Sequence, residues 1–140
     1  MEQICMTPRK TMLPHTVYLG NYIGEINDEA TYQIAVIQRC YCPLEEGTTS
    51  SGGGKKKQDA AKLYIFQCRS SVTDTDGLPL SYLPHAEWDA LTDKTGFWTI
   101  HPNGRDFFQR DDLDDRVIIQ SFAYRNGGSP RMWHFEVTGK

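Results

Sequence analysis

The sequence predicts a mainly β protein: a small antiparallel β-barrel or sandwich with one short helix and a long flexible loop. Three observations carry that expectation. Apolar and polar residues alternate with the period of a strand in several separate stretches, such as Lys62–Arg69 and Arg131–Thr138. Turn signals, notably Asp76-Gly77 and Asn126-Gly127-Gly128-Ser129-Pro130, separate the stretches. No strand–helix–strand spacing occurs, so the dinucleotide-binding folds are not expected. A chain of 140 residues suits one domain, spanning 15–140, with residues 1–14 as an N-terminal arm.

Taken in order, Met1–Pro14 has two prolines and no period, as an arm or lead-in would. His15–Leu19 alternates and predicts a first strand. Gly20, Asn21 and Gly24–Glu29 predict a turn region. Thr31–Cys42 is the longest strand signal, with Tyr32, Ile34 and Val36 on one face. Its phase slips near Ile37, which predicts a bulge or bend, and Pro43 ends the run for want of a backbone donor. Residues 44–59 predict a flexible loop, because Thr48–Gly54 holds only Thr, Ser and Gly and Lys55–Lys57 follow. Lys62–Arg69 returns as a strand.

The stretch 78–108 reads as an insertion containing the one helix, Pro84–Leu91. Pro84 suits the first helical position, and Trp88 and Leu91 share a face. Gly96–Ile100 and Asp106–Gln109 predict short strands. Val117–Arg125 and Arg131–Thr138 flank the late turn as a hairpin, with Trp133, Phe135 and Val137 on one face.

Several chemistries find no support in the sequence. The net charge of −3 does not mark the surface as a nucleic-acid or anionic-membrane binder. No apolar run approaches the ~20 residues that span a bilayer. Met1–Lys10 lacks an apolar segment of signal-peptide type, so cytoplasmic synthesis is expected. The cysteines are Cys5, Cys40, Cys42 and Cys68. The Cys40/Cys42 pair could begin a zinc site, but no second pair matches it, and buried free thiols are the expectation. The histidines His15, His85, His101 and His134 show no metal or triad spacing, and His85 and His134 read as surface and sheet positions.

Gly52-Gly53-Gly54-Lys55 mimics a phosphate loop without its first glycine or its Ser/Thr after the lysine. The acidic group Asp106, Asp111, Asp112, Asp114 and Asp115 lacks EF-hand spacing and reads as a solvated loop. No cofactor is expected, and a binding or structural role is expected over catalysis.

The order of segments resembles the small head–tail connector proteins of tailed bacteriophages, of the head-closure or minor capsid type. The resemblance rests on "HTVYLGNYIGE" leading into a turn, then "TYQIAVIQRCYCPLEEG" ending at a proline. A long loop follows, with "KLYIFQCRS" as the return strand and "VIIQSFAYRNGGSPRMWHFEVTGK" as the closing hairpin. It covers roughly residues 15–140 as a pattern, with no invariant motif, and 78–108 departs from it.

The resemblance implies a structural virion protein of a phage or prophage. Its place would be the head–tail junction, after assembly in the host bacterial cytoplasm. It would form a ring on the portal protein, meet a tail or stopper protein, and let packaged DNA pass without sequence-specific binding. Thr48, Gly53, Lys55, Lys56 and Lys57 would then contact a partner. Asp111, Asp112, Asp114 and Asp115 would form a weakly repulsive loop at the DNA channel. Two other readings stand beside it: a small β-barrel that binds nucleic acid by stacking on its aromatics, and a zinc-stabilised module built on Cys40 and Cys42.

Overall fold

Residues 12–43 and 61–140 are described by the computed structural model, and they build nine strands and one short helix. The first two strands, β1 (His15–Ile26) and β2 (Glu29–Cys40), form a long antiparallel hairpin. Its turn is Asn27-Asp28, where both residues have left-handed φ (54° and 69°). That conformation matches the twist of the strands it joins.

The turn lies within the expected Gly24–Glu29, but Gly20 and Asn21 are not part of it. The chain runs straight through Gly20 and Asn21, because each has a different task. A Cβ at Gly20 would lie 2.2 Å from the ring edge of Phe107, so only glycine admits that ring. Asn21 is buried and serves the polar cluster described below. Gly20→Ala is therefore expected to destabilise by about 1–3 kcal/mol through overpacking, read as a lower urea midpoint.

The phase slip in β2 is present and lies slightly later than expected. Ala35 and Ile37 point inward, and so do Cys40 and Cys42. The extra residue is accommodated at Arg39, which takes a φ of 57° and donates from Nε to the Arg69 carbonyl at 3.1 Å. Register between β1 and β2 shifts at the same place. The half-buried face of Tyr32, Ile34 and Val36 is not the core face.

The remaining strands are β3 (Ala61–Phe66), β4 (Ser71–Thr73), β5 (Ser81–Tyr82), β6 (Phe97–Trp98), β7 (Phe107–Arg110), β8 (Val117–Arg125) and β9 (His134–Gly139). Strands β5 and β6 pair parallel as a separate small sheet. The other seven form one antiparallel sheet in the order β3-β9-β8-β7-β1-β2-β4. Helix α1 (His85–Asp89) begins after Pro84 and buries Trp88.

Two strands are shorter than expected. Cys68 falls in the turn after β3 and is exposed, so it is not one of the buried thiols. Arg131 and Met132 belong to a 3-10 turn, Pro130–Met132, that precedes β9.

The sheet curls but does not close into a barrel. Just past β2, Tyr41 and Tyr64 exchange both backbone hydrogen bonds (3.1 and 2.8 Å), drawing the β3 edge toward the end of β2. Closure stops there because β4 already occupies the β2 edge at Val36–Gln38. The concave side is filled by Val17, Leu19, Ile37, Leu63, Phe108 and Ile119, all fully buried. Residues 78–108 are not an appendage throughout. Trp98 and Ile100 enter this core, and Phe107 and Phe108 open the strand that links β1 to β8.

Candidate functional site

The turn Pro102-Asn103-Gly104 folds the chain back so that His101 and Asp106 face each other. Asp106 is fully buried, which corrects its placement with the solvated acidic loop. A buried carboxylate is tolerated only when its lone pairs are filled. Here Oδ1 accepts from the Tyr22 N–H at 2.9 Å. Oδ2 accepts from Asn21 Nδ2 at 2.8 Å and from the His101 N–H at 2.9 Å. His101 Nδ1 lies 2.9 and 3.0 Å from the two oxygens.

Asn21 is equally committed. Its Nδ2 also donates to the Thr99 carbonyl at 2.7 Å, and its Oδ1 accepts from the Thr99 N–H at 3.1 Å. The Thr99 hydroxyl donates to the Leu83 carbonyl at 2.6 Å.

The second ring nitrogen of His101, Nε2, meets Asp89 Oδ1 at 2.7 Å. Asp89 sits at the end of α1 and is half-exposed. Two carboxylate oxygens facing two ring nitrogens call for a proton on each nitrogen, so the imidazolium form satisfies the geometry. Burial acts to lower the His101 pKa. The hydrogen bonds to Asp106 and Asp89 outweigh it and raise the pKa above its ordinary value of 6.5.

The cluster is a clasp that joins α1, β1 and the β6–β7 connection. A ring held at both nitrogens by carboxylates fastens the elements that carry them.

Stability supplied by a raised histidine pKa is complete below pH 6.5 and is lost as the pH rises through the higher folded value. His15 acts in the opposite sense. Burial, then the charge of Arg110, lower its pKa, so its contribution is lost as the pH falls below 6.5. Urea unfolding from pH 6 to 9 is expected to show a decline in wild type that is missing in His101→Gln. Equal slopes in the two proteins would contradict the clasp.

Beside the clasp lies an open cleft of about 310 Å³. Arg105 stacks on Tyr22 (5.1 Å) and Lys94 lies over Trp88 (4.8 Å), so both cations are already seated on rings at its walls.

The residues singled out from sequence are placed as follows. Thr48, Gly53, Lys55, Lys56 and Lys57 lie outside the described residues, as does Cys5. Asp111, Asp112, Asp114 and Asp115 are exposed between β7 and β8. Arg110 donates to Asp112 at 2.6 Å, and this bond, foremost, lowers the Asp112 pKa. The same guanidinium donates to the Cys42 carbonyl at 2.6 Å. The acidic loop and the point where the chain leaves toward residue 44 therefore share one end of the sheet.

Cys40 and Cys42 are fully buried, and burial pushes both thiols up to about 12. A thiol so poised is neither a nucleophile nor a ready thiolate ligand. Among the described residues no cluster of three or more His, Cys, Asp or Glu is arranged to hold a metal. Among the described residues no helix is long and apolar enough to cross a membrane.

The sequence reading missed His101, Asp89, Asn21 and Thr99. One local signal was available. A histidine just before a Pro-Asn-Gly turn and an aspartate two residues after it are brought face to face by that turn. Comparison with protein-family models, curated proteins and solved structures finds no match to this chain.

Proposed function

We propose that this chain is a structural virion protein of a phage or prophage, a head–tail connector that joins the portal of the capsid to the tail as a ring. The observation that carries the reading is the order of segments along the chain. A long first hairpin, a long connection returning as an edge strand, and a closing hairpin follow the connector pattern, and here they make one curled sheet. The buried polar cluster around His101 spends its histidine on fastening, which favours a scaffold over a catalyst. In this role residues 48–57 contact the portal or a neighbouring subunit. The exposed acidic loop, Asp111–Asp115, borders the channel, where its charge keeps DNA from adhering.

The test is capture of the tagged protein with the products of the genes flanking its own, followed by light scattering of the complex. A portal-like or tail-like protein in a large defined assembly supports the reading. A stable monomer that instead binds DNA with strong salt dependence, or zinc in near-equal amounts, replaces it with one of the alternatives.

A deletion sharpens the test. The ends of the 44–60 connection are tied by the paired hydrogen bonds of Tyr41 and Tyr64. Closure entropy also depends only weakly on loop length. Deleting 48–57 is expected to shift unfolding by less than about 1 kcal/mol while abolishing capture of the partner. Loss of the unfolding transition would place the segment inside the core instead.

A further inference from the structure

The β1–β2 hairpin outruns its sheet. Strand β7 pairs with β1 only at Val17–Gly20, and β4 pairs with β2 only at Val36–Gln38. From Tyr22 to Thr31 the two strands have only each other as ladder partners among the described residues. A lone two-stranded ribbon is marginal in water and gains by lying against something. This one carries Ile23 and Ile26 half-exposed or more, at 50% and 62%. Around its tip Glu25, Asp28 and Glu29 are acidic, with no basic residue among 22–31.

The same chain carries a receptor of the opposite character. Where the sheet fails to close, an open groove of about 490 Å³ lies among Phe66, Val72, Tyr82, Phe122, Tyr124 and Phe135. Its volume is in the range of sites that bury small ligands, and its walls are chiefly apolar. One wall is the turn after β3, where Ser70 bonds the Arg39 carbonyl and Arg39 bonds the Arg69 carbonyl.

Arg39 and Arg69 thus bring positive charge to the rim. Arg125, next to Tyr124, adds more and shares Glu136 with Lys62. Of the acids adjoining the lining residues, Glu136 is paired with Lys62 and Arg125, and Asp74, in the turn beyond Val72, has its Oδ1 held by the N–H groups of Asp76 and Leu78. The Nε of Arg69 is buried without a hydrogen-bond partner among the described residues. A buried donor of a cation without a partner is costly, and it keeps the Arg69 guanidinium a net positive charge at this wall.

We propose that the hairpin arm of one copy seats Ile23 and Ile26 in the aromatic groove of the next copy, with its acidic tip toward Arg39 and Arg69. The contact joins different surfaces of identical chains, so copies add head to tail, and such contacts close into a ring when the rotation permits. This inference rests on the ring-forming reading above and names the surfaces that make the ring.

Sedimentation of the full chain up to millimolar concentration tests it. Wild type is expected to associate beyond a dimer. Replacing both Ile23→Ser and Ile26→Ser is expected to weaken association about 100-fold, since burying each side chain is worth roughly tenfold or more. On the groove side Tyr124→Glu, or the milder Gln67→Glu at an exposed wall position, sets a negative charge against the acidic tip and is expected to weaken it about tenfold. The arm variant mixed with a groove variant keeps one working arm and one working groove, so the mixture is expected to give a dimer and nothing larger.

A wild type that stays monomeric at millimolar concentration overturns the inference, as does an arm variant that associates normally. If the monomer still captures a portal-like protein, the head-to-tail contact fails while the connector reading stands. If arm and groove join copies that capture no virion protein, the contact stands and the connector reading fails.

Discussion

Asp106→Ala is expected to remove about 3–5 kcal/mol of stability, the range for deleting one member of a buried charged pair. The side chain it removes accepts from four donors: the Asn21 amide, the Tyr22 N–H, the His101 N–H and the His101 ring. Asn21 still holds the Thr99 carbonyl, and the His101 ring still holds Asp89 through Nε2. The Tyr22 and His101 backbone N–H groups and the His101 Nδ1–H would lose their acceptor, and each buried donor left unpaired costs about 1–3 kcal/mol. Against a total of about 5–15 kcal/mol for a domain this loss is large. Urea unfolding measures it. Asp106→Asn is expected to recover only part, since its amide turns one donor toward other donors. A loss below about 1 kcal/mol for Asp106→Ala would mean that water fills the site and that the clasp is incidental to the fold.

Phe108→Ala is expected to cost a similar amount, about 3–5 kcal/mol, by leaving a cavity in a core that cannot collapse around it. Phe108 is fully buried in the strand between β1 and β8, opposite Leu19 on one side and Val117 on the other. The cavity would sit where the two hairpins of the sheet meet. A lower urea midpoint with an unchanged denaturant slope is the expected pattern. A changed slope would instead show that the two halves of the sheet come apart separately.

How much of this was legible in the sequence depended on whether the cause was local. Val117–Arg125 was placed to the residue because it is rich in β-branched and aromatic residues and a strong turn follows it, although its pairing with β9 shifts register between Ile119 and Ser121. The slip in β2 was visible because the inward residues change parity, and Arg39 shows what absorbs it. Gly20 and Asn21 misled because their composition says turn. Their reasons are a ring approaching from β7 and a carboxylate from the far side of the sequence.

Asp106 was misplaced for the same reason. Five aspartates within ten residues look alike until tertiary contacts single one out. The His101–Asp106 half of the clasp lay within reach, since a turn joins its members. The Asp89 and Asn21 halves come from other elements, and nothing in their own neighbourhoods announces it.

The strand order has a kinetic consequence. β1 and β2 meet across a two-residue turn, and β8 and β9 lie close along the chain, so each hairpin can form early. β3 has no such neighbour. Its partner among the described residues is β9, with Ala61 opposite Gly139. β1 likewise waits for β7, with Val17 opposite Arg110. Pairings of that sequence separation make folding slow, because loop closure must precede any reward. On the ribosome β3 emerges well before the strand that covers it. Its Leu63 and Ile65, buried in the folded sheet, stay uncovered until β9 arrives. A chain truncated before His134 is thus expected to present β3 as an uncovered apolar edge, and its fate is aggregation or chaperone capture rather than a smaller version of the fold.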